Sequence, residues 1–255
     1  MKISVVIITF NEQKNIERCL LSVKDIADEI IILDSLSTDK TKEICLKYNV
    51  KFFEQKFLGH IEQKNKAMQL ATNDYVLSLD ADEALSDKLK TEIKKIKKNC
   101  NYDAYIFNRL NNYCGKWIKH CGWYPDKKLR LWNRKKGQWG GTNPHDKVIM
   151  QNNTKIKYIN ADLLHYSYYA VNEHIIQSDK FAKIAAKAYF KNKKKSTFIT
   201  PYYKVVWKFI NCYFIKTGFL EKKYGFTICK ISANETFKKY KNLNSLYKNS
   251  VKQQD

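Results

Sequence analysis

The chain has 255 residues, of which 44% are hydrophobic and 14% aromatic. This length and composition allow a sizeable buried core and exclude a disordered or low-complexity protein. The formal net charge is +22, and nearly all of the positive charge is lysine. Residues 166–255 hold eighteen lysines against five acids. This basic last third suits an anionic membrane surface at least as well as a nucleic acid.

The seven cysteines form no CxxC pair, which favours free thiols that fill the core of a protein in a reducing compartment. Residues 2–9 are typical of a strand and not of a signal peptide. The aromatic stretch 201–215 contains Lys204, Lys208 and Asn211 and is too short and too polar to span a membrane. It predicts a helix that either lies in a membrane interface or packs on the rest of the protein.

Apolar runs and helical periodicities alternate over the first 100 residues. Continuous apolar runs predict four strands, at 2–9, 29–33, 50–53 and 74–79. Helical spacing or composition separates them, which predicts an α/β fold with a parallel sheet and right-handed crossovers. Further strands of antiparallel type are expected at 101–110 and 129–133, and a long helix at 171–190.

Polar residues follow three of the predicted parallel strands, at the end where such sheets bind ligands. They are Thr9, Asn11 and Glu12, then Asp34 and Ser35, then Asp80 and Asp82. The chain lacks the GxGxxG and GxxxxGK[ST] motifs, so a phosphate ligand must be held in another way. A Mg²⁺ or Mn²⁺ ion bound to Asp82 would hold the phosphates by bridging to a diphosphate. Asp34 would accept a hydrogen bond from the base or the ribose.

The residues alone leave alternatives for these acids. Asp80 and Asp82 lie two apart, so an extended chain would point both side chains to one side. The other interpretation is that they belong to the N-terminus of the helix that Ser86 begins. For Asp34 the alternative is a turn residue before a capped helix.

Two glycine-containing segments of the second half are predicted to be binding loops. In 117–126, Trp117, Trp123 and Tyr124 are candidates to stack on sugar rings, with core packing as the alternative. The second loop, 139–144, ends at His145 and Asp146, and the Asp146 carboxylate is a candidate catalytic base.

Arg130 lies between these two segments. It is a candidate for a charge-assisted hydrogen bond to phosphate. The alternative is a salt bridge to Asp126.

These motifs resemble those of glycosyltransferase family 2, the inverting enzymes of the GT-A fold. The resemblance rests on residues 5–12, 34–39 and 80–83 in the first half. The second half looks like the lipopolysaccharide core β-1,4-glucosyltransferase branch, through 122–126, 129–131, 145–148, 164–168 and 218–220. The chain departs from that pattern at Ser35, in the second position of the usual Asp-Asp-Gly-Ser run, and at Asp146, where the branch usually has glutamate.

The resemblance implies a Rossmann-like, mostly parallel sheet flanked by helices, with a C-terminal helical extension. The expected catalytic domain is 1–165, with a nucleotide-sugar half at 1–100 and an acceptor half at 101–165. A basic amphipathic helical region is expected at 166–255.

The resemblance also implies roles for individual residues. Asp82 would hold the divalent cation, and Asp146 would act as the base. The nucleotide-sugar ligands would be Thr9, Asn11, Glu12, Asp34, Ser35 and Asp80. Contacts to acceptor or phosphate would come from Trp123, Tyr124, Arg130, His145 and His165.

The function implied is inverting transfer of a hexose, with glucose the first candidate, from a UDP-sugar. The acceptor would be a lipopolysaccharide or lipooligosaccharide core, or another lipid-linked glycan, at the cytoplasmic face of the inner membrane. A second hypothesis is a family 2 glycosyltransferase that acts in capsule, exopolysaccharide or protein glycosylation. A third is a non-enzymatic basic module that binds anionic lipid or nucleic acid. The ordered acids argue against it and against a nucleic-acid partner, because a polyanion binder gains nothing from carboxylates at its ligand face.

Overall fold

The computed structural model describes residues 1–142 and 145–252. They divide into two compact units. The first unit comprises Met1–Leu110 and Pro125–Tyr166, and the second comprises Asn111–Tyr124 and Ser167–Asp255.

The strands and helices follow the alternation that the sequence predicts. The strands are β1 (Ile3–Thr9), β2 (Glu29–Asp34), β3 (Lys51–Glu54), β4 (Tyr75–Asp80), β5 (Glu83–Leu85), β6 (Ala104–Tyr113), β7 (Lys116–Ile118), β8 (Asp126–Asn133), β9 (Gly137–Thr142), β10 (His145–Met150) and β11 (Ile156–Tyr168). The α-helices are α1 (Ile16–Val23), α2 (Thr41–Cys45), α3 (His60–Gln69), α4 (Asp87–Lys98), α5 (Val171–Lys191), α6 (Thr200–Ile210) and α7 (Lys222–Lys252).

The main sheet has the order β3-β2-β1-β4-β8-β6-β11-β5, with β7 paired to the end of β6. Strands β3, β2, β1 and β4 are parallel neighbours, whereas β8 is antiparallel to both β4 and β6. The predicted α/β fold of GT-A type is confirmed as a mixed sheet, in which β5 is antiparallel to β11 as well. In β1, Thr9 pairs with Asp34 of β2 and Ile8 with Asp80 of β4, so the polar strand ends share one edge.

Both faces of this sheet are covered, which is why its central strands are continuous apolar runs. In β1, Val5 and Ile7 join one hydrophobic cluster with residues of α1 and α4. Val6, on the opposite face, joins a second cluster with residues of α3. Ser86 caps α4 by accepting a hydrogen bond from the Leu89 nitrogen at 3.2 Å. Ser86 is therefore the residue that caps this helix. Asp80 and Asp82 lie earlier in the chain and do not belong to its N-terminus.

The prediction of a loop at 139–144 was wrong for 139–142, because residues Gly137–Thr142 form β9, antiparallel to β10, while 143 and 144 lie outside the described residues. At Gly140 a side chain would meet the end of the Ile149 side chain on β10. A Cβ atom on Gly140 would lie 2.6 Å from Cδ1 of Ile149. The other predicted loop also begins in a strand, since Trp117 belongs to β7.

The second unit holds the three long helices of the C-terminal region, α5, α6 and α7. A π-helical turn at Asn211–Ile215 continues α6, and a 3₁₀ turn at Gly218–Glu221 leads into α7. Close approach of these elements needs Gly225, where a Cβ atom would clash with the Gly218 carbonyl oxygen. Within the described residues, no helix combines the length and apolar character that crossing a membrane requires.

Candidate active site

Asp34 lies at the end of β2 and is fully buried, so its carboxylate needs hydrogen-bond donors. Thr9 Oγ1 donates to Asp34 Oδ1 at 2.5 Å, and Ser37 donates from its nitrogen at 2.7 Å and its hydroxyl at 2.6 Å. The next residue, Ser35, is buried and donates its backbone N–H to the Thr9 carbonyl at 2.9 Å. The ends of β1 and β2 are thereby locked together with the Asp34 carboxylate held in one orientation.

The loop after β1 is fixed to the same edge. Asn11 has a φ of +54°, in the left-handed region that asparagine tolerates better than most residues. Its nitrogen donates to Ser37 Oγ at 2.8 Å, and its Oδ1 accepts from the Thr38 nitrogen at 2.8 Å. Burial raises the pKa of the Glu12 carboxyl to about 7; a hydrogen bond from Asn15 opposes this, and the charges of Asp82 and Asp80 add to it.

Asp80 ends β4 and faces two buried cations. Its carboxylate lies 3.0 Å from Lys64 Nζ and 3.0 Å from Arg130 Nη2. Burial opposes ionisation of Asp80, but these two cations hold its pKa well below the usual range. Arg130 also pairs with the buried carboxylate of Glu83 at 2.7 Å. Burial disfavours the charged form of Arg130, yet Glu83 and Asp80 together raise its pKa.

The alternative that Arg130 pairs with Asp126 was wrong. Asp126 pairs with Arg109 at 2.8 Å and Lys128 at 3.1 Å. Arg130 is 3% exposed and lies on β8, next to the residues that pair with β4, where it meets Asp80 and Glu83.

Asp146 joins the same cluster through Lys64. Lys64 Nζ lies 2.8 Å from Asp146 Oδ2, so one buried ammonium bridges the carboxylates of Asp80 and Asp146. The ammonium also lies 4.4 Å from the ring centroid of Trp139. The structure thus places Asp146, the candidate base, and Asp80, a candidate contact of the nucleotide-sugar, against the same ammonium group of Lys64.

Asp82 lies beyond the end of β4, so the expectation that it shares a strand face with Asp80 was wrong. Its Oδ2 lies 3.1 Å from His165 Nε2 on β11, and its carbonyl accepts from the Tyr166 nitrogen at 2.9 Å. The Asp82 side chain is 28% exposed, which leaves room for a ligand. Asp82 and His165 offer one carboxylate oxygen and one imidazole nitrogen at this position.

Two buried N–H donors beside the cations have no hydrogen-bond acceptor among the described residues. They are Arg130 Nε and Trp139 Nε1. The Arg130 guanidinium lies 5.4 Å from the Trp139 ring centroid, so the two donors belong to one neighbourhood. Unpaired buried donors are costly in the absence of an acceptor, and an anionic ligand would supply one.

The sequence model of Glycosyl transferase family 2 matches residues 4–153 of this chain. The chain belongs to glycosyltransferase family 2. It is 33% identical over 259 residues to an uncharacterized glycosyltransferase of Rickettsia bellii, an alignment that covers 96% of this chain and 87% of that protein.

Two solved structures are similar to this family 2 glycosyltransferase. The mannosyltransferase PcManGT from Pyrobaculum calidifontis, in complex with GDP-Man and Mn²⁺, is 14% identical with a TM-score of 0.56, and the match covers 95% of this chain and 87% of that one. S. aureus TarS is 18% identical with a TM-score of 0.48, and the match covers 88% of this chain but 46% of that one.

The remaining predicted contacts of this glycosyltransferase lie in different places. Trp123 and Tyr124 belong to the second unit, where Trp123 packs edge-on against Tyr113, with ring centroids 5.7 Å apart. The backbone of His145 opens β10, and its side chain lies outside the described residues. The prediction of an acceptor contact at His145 therefore stays a prediction.

The sequence-based predictions missed Lys64, Trp139 and Glu83 as members of the site. Glu83 stands in the quoted motif beside Asp82 and was given no role, although its burial demands a cation. Lys64 follows the buried Gln63 on α3, and its near-complete burial cannot be inferred from a lysine-rich stretch.

Proposed function

We propose that this family 2 glycosyltransferase transfers a hexose, with inversion, from a UDP-sugar to a lipid-linked glycan such as a lipopolysaccharide or lipooligosaccharide core. The observation that carries the proposal is the cluster of Lys64, Arg130, Asp80 and Asp146 beside two unpaired N–H donors. A diphosphate is the ligand that fits these donors, because it presents several anionic acceptors at once. Glucose is the first sugar to test.

The nucleoside is assigned to the edge formed by the ends of β1 and β2. Asp34 has a fixed, buried carboxylate at this edge, and its acceptor atoms suit the N–H groups of a base. Thr9 and Ser35 hold that edge in shape, while Asn11 and Glu12 form its rim. The structure of PcManGT with GDP-Man supports a nucleotide-sugar donor through likeness of fold.

A divalent cation fits at Asp82. Asp82 lies among other acids: burial raises the pKa of Glu12, and the nearby charges of Asp82, Asp39 and Asp80 raise it further. The carboxylate of Asp82 and the imidazole of His165 would hold the ion, a donor set that suits Mn²⁺. When bound, the cation supplies positive charge to the leaving diphosphate.

Asp146 is the proposed base, and it would accept the proton of the attacking acceptor hydroxyl. Its Oδ2 is engaged by Lys64 at 2.8 Å in the structure. A donor diphosphate would compete for Lys64 and release this oxygen. We infer that donor binding precedes activation of the acceptor.

A lipid-linked acceptor is supported by the surface of the second unit. Helix α6 exposes Tyr203, Val206 and Trp207 at 52%, 58% and 56%. Lysines are abundant in the same unit, which suits an anionic membrane surface. We propose peripheral contact with the cytoplasmic face of the inner membrane through this helix. The capsule, exopolysaccharide and protein-glycosylation alternatives differ in acceptor and would be separated by acceptor profiling.

Calorimetric titration with UDP, GDP and CMP, with and without Mn²⁺, tests the donor and the metal. We expect Mn²⁺-dependent binding of UDP that falls at least tenfold in Asp82→Asn. The matched control is Asp87→Asn, whose side chain is 99% exposed at the start of α4 and whose affinity should equal that of the wild type. Absence of nucleotide binding by folded wild-type protein would refute the proposal.

A further inference from the structure

Three of the seven cysteines meet at one buried point in the second unit. The Sγ atoms of Cys121, Cys212 and Cys229 all lie within 4.8 Å of one another. All three side chains are buried, and each comes from a different element: the segment after β7, the π-helical turn and α7. Cys121 and Cys212 are 91 positions apart along the chain, and Cys212 and Cys229 are 17 apart, so the cluster could not be predicted from a short sequence motif.

The backbone around the cluster is shaped to bring the sulfurs together. Cys121 has a φ of +61°, a left-handed conformation that costs energy for a residue with a side chain. Cys212 lies in a π-helical turn, a rare geometry often found at functional sites. Gly218 leaves space beside the sulfurs, because a Cβ atom there would lie 2.9 Å from Cys229 Sγ and 3.1 Å from Cys121 Sγ.

The distances suit a shared metal ion. Three thiolates about 2.3 Å from one Zn²⁺ ion lie roughly 3.7–4.0 Å from one another. The Cys212 and Cys229 sulfurs are 2.9 Å apart and the third lies within 4.8 Å, so small side-chain rotations give a common centre. Lys208 and Lys216 interact electrostatically with Cys212 and offset the negative charge of a thiolate set.

We propose that Cys121, Cys212 and Cys229 form a thiolate site for a soft, thiophilic metal ion, with Zn²⁺ as the ion to test. Soft sulfur ligands select Zn²⁺ or Cu⁺ over Mg²⁺ and Mn²⁺, so this site is chemically separate from the one at Asp82. Binding releases the thiol protons and ties three elements of the second unit together. The ion therefore has a structural role and stabilises the packing of the C-terminal helices.

The test is zinc titration of the full-length, reduced, metal-free protein against a chromophoric chelator. We expect one Zn²⁺ per chain and a loss of affinity of at least tenfold in Cys212→Ser. Cys45→Ser is the matched control, since Cys45 is equally buried but lies in the first unit, and it should bind as the wild type does. Equal zinc affinity in wild type and Cys212→Ser would overturn the proposal.

A second measurement keeps the test decisive if Cys212→Ser fails to fold. Alkylation of wild-type protein with and without Zn²⁺, followed by peptide mapping, should show Zn²⁺-dependent protection confined to Cys121, Cys212 and Cys229. Protection spread over all cysteines, or none, would contradict the site. A Cys212–Cys229 disulfide in protein purified without reductant, with no bound metal, would overturn it in favour of an oxidised pair.

Discussion

At the scale of single residues, Lys64 determines how the site is arranged. It is 4% exposed, and a buried ammonium is tolerated here because two carboxylates and the face of Trp139 surround it. The same pairing occupies Oδ2 of Asp146. A base held by a cation is a poor proton acceptor, so the proposed reaction requires the donor to draw Lys64 away.

Replacing Asp146 should affect the rate of sugar transfer without weakening nucleotide binding. Asp146→Asn leaves Lys64 paired with Asp80, so the fold and the cation are retained. We expect the transfer rate at saturating donor to fall by about 10²–10⁴-fold, the usual contribution of a general base. The nucleotide Kd should be unchanged or tighter, because a competitor for Lys64 is gone.

Transfer rates and calorimetric affinities for the wild type, Asp146→Asn and Asp87→Asn would check this prediction. Asp87→Asn again serves as the control and should match the wild type in both measurements. Wild-type transfer by Asp146→Asn would exclude Asp146 as the base. A parallel loss of nucleotide affinity would instead make it a donor ligand.

At the scale of elements, the sequence predicts those strands that are continuous apolar runs. The runs at β1, β2 and β4 predict buried parallel strands, and their polar ends predict the site edge that Asp34 and Asp80 form. Strand β9 was missed because paired glycines usually indicate a loop, whereas here Gly140 and Gly141 lie in a strand paired with β10. Helix α7 lies within the helical region expected at 166–255, but its bounds were not predicted, since it packs on both α5 and α6.

The contacts across the site could not be predicted for a different reason. Lys64 meets Asp146, a residue 82 positions away, through the packing of α3 beside β9. The partner of Arg130 likewise depends on the register of β8 beside β4. Sequence spacing gives residue types at strand ends, but such pairings depend on the three-dimensional packing.

Helix α5 is anchored by a buried histidine that should make stability depend on pH. His174 Nδ1 lies 3.2 Å from the Tyr113 hydroxyl, and the His174 ring stacks on Tyr168 with centroids 4.7 Å apart. Burial lowers the pKa of His174 to about 4. The neutral form is favoured in the folded state, so its stabilisation is complete above pH 6.5 and is lost as the pH falls toward 4.

We expect wild-type protein to lose about 2 kcal/mol of unfolding free energy from this group between pH 7 and pH 5. His174→Phe removes the ionisable group and should flatten the pH dependence of urea unfolding by that amount. His60→Phe is the control, because His60 is exposed on α3, and its slope should equal that of the wild type. An unchanged slope in His174→Phe would show that His174 is not the group responsible.

At the scale of the whole molecule, the proposed contact with a membrane would account for both the basic charge and the exposed aromatic surface. Of the net charge of +22, +13 lies in residues 166–255. Helix α6 adds a patch of exposed apolar residues, defined here as the α6 face: Ile199, Tyr202, Tyr203, Val206, Trp207 and Ile210. A basic surface attracts anionic lipid over about a Debye length, and aromatic side chains then insert at the headgroup level.

The proposed membrane contact predicts that the protein binds vesicles in a way that depends on their charge. Cosedimentation should be strong with vesicles that contain phosphatidylglycerol, weak with pure phosphatidylcholine, and reduced by salt because it depends on screened charge. Trp207→Ser should weaken binding by about tenfold, since one large side chain no longer leaves water. Phe57→Ser is the control, because Phe57 is similarly exposed, at 46%, but lies in the first unit. Equal weakening by both substitutions would mean that binding is not located at the α6 face, and salt-independent binding to neutral vesicles would refute the electrostatic part.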